Sequence, residues 1–134
     1  MILIFGGVYQ GKLDYALTRF GLTKADVHFC AEGDTACPAG AKAVYEIDKW
    51  VLALLRAQVD AGERADEFIA RNGEAIVIGN DISCGVVPVD PLLRKWREET
   101  GRLFGRLAAL STEVVRVYCG IPTTLSHTAP EISI

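Results

Sequence analysis

The chain has 134 residues, half of them hydrophobic, and a formal net charge of −3 at pH 7. That length can bury a sizeable core, so residues 1–134 are expected to form one domain. The acidic balance excludes a basic nucleic-acid footprint, no apolar run approaches membrane-spanning length, and the N-terminus has neither a basic leader nor a signal-length apolar stretch, so the expectation is a soluble cytoplasmic protein without nucleic-acid or membrane partners.

Met1-Ile2-Leu3-Ile4-Phe5 is a short, wholly apolar run, as expected of a strand buried on both faces. Gly6-Gly7-Val8-Tyr9-Gln10-Gly11-Lys12-Leu13 follows, with the spacing of a phosphate-binding loop: glycine, four residues, glycine, lysine. The backbone N–H groups of such a loop cradle phosphates, and the lysine neutralises their outer oxygens. Leu13 stands where Ser or Thr would offer a hydroxyl to Mg²⁺, so the loop is read as gripping ATP or GTP while its handling of Mg²⁺ stays open. Lys12–Phe20 reads as a helix with Leu13, Ala16, Leu17 and Phe20 on one face and Gly21 as its stop. A helix N-terminus directly after the loop adds its dipole to an anion site. The alternative is an ordinary glycine-rich turn that happens to carry a lysine.

Val27–Cys30 is a second strand, and Ala31–Ala41 a long loop that reads as a mobile lid. Ala43–Ile47 reads as a third strand, with Asp48 capping a helix from Lys49 that carries Trp50, Val51, Leu54, Leu55 and Val59. Gly62 is read as its interruption, and Asn72-Gly73 as the stop of a further helical stretch. Ala75–Gly79 is a buried strand. Asp90-Pro91 reads as N-cap and first helical residue of a long helix with Leu92, Trp96, Leu103, Phe104, Leu107 and Leu110 inward. Its charged residues, Arg94, Lys95, Glu98, Glu99, Arg102 and Arg106, read as a solvated face. Glu113–Tyr118 is the last strand, and the tail from Gly120 shows no clear element.

Strands alternating with helices call for an α/β fold: a P-loop NTPase-like, mostly parallel sheet with helices on both faces. Ligands then bind beyond the C-terminal strand ends, where the loops at Gly6, Cys30, Asn80 and Cys119 emerge. Four cysteines (Cys30, Cys37, Cys84, Cys119) form no CxxC pair and read as free thiols. Cys30, Cys84 and Cys119 follow strands, which leaves open whether they cluster.

The second half of the chain carries a family resemblance. Asn80-Asp81-Ile82-Ser83-Cys84-Gly85-Val86-Val87-Pro88 resembles the Asn-Glu-Val-Gly-x-Gly-Ile-Val-Pro segment of the adenosylcobinamide kinase / adenosylcobinamide-phosphate guanylyltransferase family. Trp96-Arg97-Glu98 with Gly101-Arg102-Leu103 is similar to its Phe-Arg-Asp-x-x-Gly-Arg-Leu helix, and Glu113-Val114-Val115 with Gly120-Ile121-Pro122 to its last strand and turn. Gly6-Gly7 with Gly11-Lys12 resembles its Gly-Gly-x-x-Ser-Gly-Lys-Ser loop. The resemblance implies a P-loop fold, a trimer, phosphorylation of the aminopropanol hydroxyl of adenosylcobinamide, and GMP transfer through a guanylylated histidine.

The departures from that pattern are specific. The segment that bears the guanylylated histidine shrinks here to Ala31–Lys42 and holds no histidine; His28 lies within a strand and His127 in the tail. Guanylyl transfer is therefore expected to be lost. The family's acidic residue at the end of its third strand aligns with Tyr45, while Glu46 and Asp48 are shifted, and an odd shift on a strand turns a side chain to the other face. The expected site is thus Lys12 on the phosphates and Asp81 as metal or proton acceptor, with Gly6, Gly7, Val8, Tyr9, Gln10, Gly11, Lys12 and Leu13 around the nucleotide and no assigned metal ligand. Three readings stand at this point: a phosphotransferase acting on a corrinoid hydroxyl, a non-catalytic nucleotide- or corrinoid-binding relative in regulation or assembly, and a scaffold that keeps only an oligomer surface.

Overall fold

The apolar run at the N-terminus becomes the strand around which the sheet gathers. The computed structural model describes residues 1–82 and 89–127, and in it β1 (Ile2–Gly6) pairs in parallel with β4 (Ile76–Asn80) on one side and β5 (Glu113–Tyr118) on the other. Leu3 stands between Val77 and Val114, and Ile4 between Ile78 and Val115. Such a strand has no polar face to offer, which is why its sequence does not alternate.

The strand order is β2 (Val27–Phe29), β3 (Ala43–Tyr45), β4, β1, β5, β6 (Ile121–His127). All neighbours are parallel except β6, which returns antiparallel along β5. Successive side chains point to opposite faces and build two cores. On one face Ile4, Val27, Ala43, Ile76, Ile78, Val115 and Val117 pack with Ala16, Leu13, Leu17 and Phe20 of α1 (Lys12–Phe20). On the other, Leu3, Val44, Val77 and Val114 meet α2 (Ile47–Arg56), α3 (Ala61–Arg71) and α4 (Pro91–Leu110) through Trp50, Leu54, Phe68, Leu103 and Leu107. Trp50 and Phe68 are almost wholly buried, rings 5.5 Å apart, each contributing roughly 2–3 kcal/mol by leaving water. The expected α/β architecture, a mostly parallel sheet with helices on both faces, is the observed one.

The local signals explain most helix ends. Gly21 closes α1 in the left-handed conformation (φ 64°), its N–H on the Leu17 carbonyl. Asp90 caps α4 by accepting from the Leu92 N–H at 2.8 Å, with Pro91 at the first helical position. The charged face of α4 is solvated and laced by Arg102–Glu98 and Arg102–Glu99 ion pairs.

Five expectations are corrected. The helix break lies at Ala57–Asp60, not at Gly62: Gln58 takes φ 58°, Asp60 caps α3 by accepting from the Glu63 N–H at 3.1 Å, and Gly62 is inside the helix. Asp48 is no cap; β3 ends at Tyr45, Glu46 occupies the cap position with φ 61°, and Asp48 is the second residue of α2. Leu110, the last residue of α4, is exposed. The tail forms an element after all: Ile121–His127 pairs along β5, Tyr118 opposite Ile121 and Glu113 opposite His127.

The fifth concerns the segment read as a lid. It is strapped down. Trp50 Nε1 and an Arg64 guanidinium nitrogen both donate to the Thr35 carbonyl, at 3.3 and 2.6 Å, and buried Asn72 Nδ2 donates to the Pro38 carbonyl at 2.7 Å. Three donors from α2, α3 and the end of α3 hold this strap as part of the wall.

Candidate phosphate-binding site

The site begins where β1 runs out of room for side chains. Gly6 lies so close to β5 that a Cβ there would sit inside the Val117 carbonyl. The chain then turns through Gly7–Gly11. Gly11 takes φ 88°, and a Cβ on it would crowd Gly120 Cα at 3.3 Å, so glycine serves both conformation and contact. Tyr9 also adopts a left-handed φ of 61° and is fully exposed at the tip.

The loop is held by the turn that follows the neighbouring strand β5. Gln10 Oε1 accepts the Cys119 backbone N–H at 2.6 Å, and the Gln10 carbonyl accepts the Gly120 N–H at 2.8 Å. The Asp81 N–H donates to the Gly6 carbonyl at 2.8 Å, bringing the chain after β4 to the base of the loop. The sheet therefore brings the loop that starts at Gly6 and the start of the chain after β4 to the same edge. The stretch Ser83–Pro88, with Cys84, lies outside the described residues.

The N-cap of α1 is Gly11, which has no side chain with which to cap the first N–H groups at the positive end of the helix dipole. Lys12 is buried, with Nζ donating to the Gly7 carbonyl at 2.5 Å. An ammonium has three protons, so others stay available to an anion seated on the loop. Burial pushes the Lys12 pKa below its usual value, while the charges of Asp48 and then Glu46 oppose that fall. Loop, glycine-capped helix start and lysine fit a phosphate.

Sequence reasoning missed Asp48 and Glu46. Strand periodicity, extended past the true end of β3, pointed them away from the site. The left-handed turn at Glu46 resets the direction. Asp48 is buried, and its Oδ1 accepts the Asn80 N–H at 2.8 Å and its Oδ2 the Asn80 Nδ2 at 3.2 Å. The same Nδ2 reaches Glu46 Oε2 at 3.2 Å, and Glu46 Oε1 pairs with Lys49 at 3.1 Å. Burial raises the Asp48 pKa, and the hydrogen bonds from Asn80 pull it back. Trp96 Nε1 donates to the Asp48 carbonyl at 2.8 Å. Asp48, Glu46, Asn80 and Trp96 line, with Val8 and Tyr9, a pocket of about 370 Å³ beside the loop. The available signal was an acid on each side of Ile47 immediately after a very short strand.

Fit to Mg²⁺ is another matter. Leu13 turns into the core beneath the sheet and has no oxygen, and the described residues gather no group of three or more His, Cys, Asp or Glu side chains. The residues in place do not build the usual ion seat.

The histidines fall away from the loop. His28 is on β2, three strands from β1, and His127 is paired in β6 with Glu113, at the sheet edge opposite the loop. Cys30 and Cys119 follow β2 and β5, four strand spacings or about 19 Å apart, so these two thiols do not cluster.

A parallel sheet whose central strand passes through a glycine loop into a helix that opens with a buried lysine defines a P-loop-type α/β protein. The family described as cobinamide kinase / cobinamide phosphate guanyltransferase matches residues 40–125, well over half of the chain. The chain belongs to that family, and with it to cobalamin biosynthesis. The match starts after the phosphate loop, so loop and family are independent indications. No curated protein matches the chain. Among the described residues no helix is long and apolar enough to cross a membrane.

Proposed function

We propose that residues 1–134 work as one cytoplasmic nucleotide-binding unit that transfers a phosphoryl group from ATP or GTP to a hydroxyl of a corrinoid of the adenosylcobinamide type. The observation that carries this reading is Lys12, buried at a helix start whose N-cap is Gly11, with its ammonium on the Gly7 carbonyl. Phosphoryl transfer depends mostly on positioning and on neutralising charge. Lys12 would sit on the β- and γ-phosphates, with Gly6, Gly7 and Gly11 letting backbone N–H groups approach them. Asp81 would take the proton of the acceptor hydroxyl as its oxygen bonds to the γ-phosphorus and the bond to the nucleoside diphosphate breaks. The positions of His28 and His127 support the loss of guanylyl transfer. Tyr118, Ile121 and Leu125, exposed on the terminal hairpin, support assembly into a homo-oligomer, a trimer by family resemblance.

One observation favours a second reading. Leu13 packs into the core where an oxygen would serve an ion, as suits a relative that binds nucleotide or corrinoid without turnover, in regulation or assembly. Calorimetric titration with ATP and GTP, with and without Mg²⁺, separates the two. Binding strengthened by Mg²⁺, followed by a mass gain of one phosphate on cobinamide, is the result expected of the kinase. Binding indifferent to Mg²⁺, with no product, selects the non-catalytic relative. Absence of binding overturns the phosphate-loop reading in both, and leaves a relative that binds only a corrinoid.

A further inference from the structure

The tip of the phosphate loop carries a side chain that the fold does not use. Tyr9 is fully exposed, so its ring adds nothing to either core, and its backbone sits at φ 61°, a left-handed conformation that glycine or asparagine adopts more easily than tyrosine. A bulky residue kept in such a conformation at the rim of a site is a signature of function. Tyr9 and Val8 form one wall of the cavity of about 370 Å³ beside the loop, and Trp96 forms another. The Trp96 indole is pinned by its bond to the Asp48 carbonyl at 2.8 Å, so that wall is fixed.

Two properties of the cavity say what it takes. Its size suits a small molecule or one part of a larger one, and it cannot enclose a cobalt corrin macrocycle with all its amide arms. It does admit a single arm. Asn80 and Ile82, the residues that flank Asp81, line the cavity, so an arm that enters brings its hydroxyl to the segment that carries Asp81. The macrocycle is then left at the mouth, where Tyr9 stands. The second property is charge. Three carboxylates, Glu32, Glu46 and Asp48, stand in the walls against two cations, Lys49 and Arg56. Glu46 pairs with Lys49 at 3.1 Å and Glu32 with Arg56 at 3.6 Å. Such walls disfavour a second anion and set donors beside acceptors, as amide groups require.

We propose that Tyr9 is a binding residue for the corrinoid acceptor, its ring packing against the macrocycle at the mouth of the cavity while the hydroxyl-bearing arm enters. The inference rests on the corrinoid reading above. One loop then serves both substrates: its backbone and Lys12 meet the phosphates, and its tip meets the acceptor. The contact is apolar and needs the aromatic ring of Tyr9, not its hydroxyl.

Because Tyr9 is exposed, replacing it removes no core contact, and asparagine suits the left-handed backbone better, so Tyr9→Asn should keep or raise the urea midpoint. Cobinamide binding is read by equilibrium dialysis from the visible absorbance of the corrin, and ATP and GTP binding by calorimetry. Tyr9→Asn is expected to weaken cobinamide about fivefold or more, while Tyr9→Phe stays close to wild type and neither variant changes nucleotide affinity. In turnover, Tyr9→Asn should raise KM for cobinamide and leave kcat in place. Equal cobinamide binding by wild type and Tyr9→Asn overturns the proposal, as does a Tyr9→Phe as weak as Tyr9→Asn. A loss in Tyr9→Asn that cobinamide and nucleotide share also overturns it, because the loop's shape has then changed. Tyr9-dependent cobinamide binding without phosphate transfer overturns the kinase reading and leaves the inference standing; phosphate transfer to cobinamide that ignores Tyr9 does the reverse. A wild type that binds no cobinamide overturns the inference and the corrinoid acceptor together.

Discussion

Gln10 and Cys119, 109 residues apart, are joined at 2.6 Å, the amide oxygen of one accepting the backbone N–H of the other. With the Gly120 N–H on the Gln10 carbonyl, this makes the β5–β6 turn the outer support of the phosphate loop. The loop's shape is therefore set by the last hairpin as well as by its own glycines.

Gln10→Ala removes one of these two bonds. A net loss of about 1 kcal/mol is expected, which for this size lowers Tm by about 3–5 °C. Triphosphate affinity, read by calorimetry, should fall several-fold. An unchanged affinity would show that the hairpin does not support the loop.

Gly6→Ala and Gly7→Ala form a contrasting pair. A methyl on Gly6 meets the Val117 carbonyl, which is backbone and cannot step aside, whereas one on Gly7 meets the flexible Gln10 side chain, its Cγ at 3.4 Å. Urea unfolding should show Gly6→Ala destabilised by about 2–3 kcal/mol and Gly7→Ala by much less. Equal losses would mean β1 and β5 can part more readily than their register implies.

Leu13→Ser tests the ion seat. Leu13 is half-buried against the α1-side core, so the change costs about 1–2 kcal/mol of stability. Nucleotide binding in the variant should gain dependence on Mg²⁺ relative to wild type. A wild type already fully Mg²⁺-dependent, with no change in the variant, would mean that other residues hold the ion.

Thiol labelling separates the cysteines. Burial, with Asp48 and Glu46 adding to it, pushes the Cys30 thiol up to about 12, while Cys119 is exposed. At pH 8 iodoacetamide should modify Cys119 and spare Cys30 in the folded protein, as read by peptide mass spectrometry. Early labelling of Cys30 would contradict its placement behind β2.

Asp48 carries a pH signature of its own. Its folded pKa is raised above 3.8, so between 3.8 and the raised value the native state binds more protons than the unfolded chain. Its contribution to stability is full below 3.8 and is lost as pH rises through the folded pKa. Urea midpoints from pH 4 upward should therefore show a downward slope in wild type that Asp48→Asn flattens.

The amino-acid sequence alone determined what is local. Apolar runs marked β1, β4 and β5, glycine spacing and Lys12 marked the loop, and Gly21 and Asp90-Pro91 marked helix ends, because each depends on residues within a few positions of one another. Tertiary structure decided the rest. Asp48 reaches Asn80 across 32 residues only because β3 and β4 are neighbours and Glu46 turns the chain. Thr35 and Pro38 are tied down by α2 and α3 and the residue that ends α3, so the segment is a strap and no lid. Cys30 and Cys119 stand apart because strand order places β2 and β5 far from each other. Spacing along the chain encodes which way a side chain points within an element; which element it then meets is fixed by the packing of distant segments, and that is where the neighbours of Asp48 were chosen.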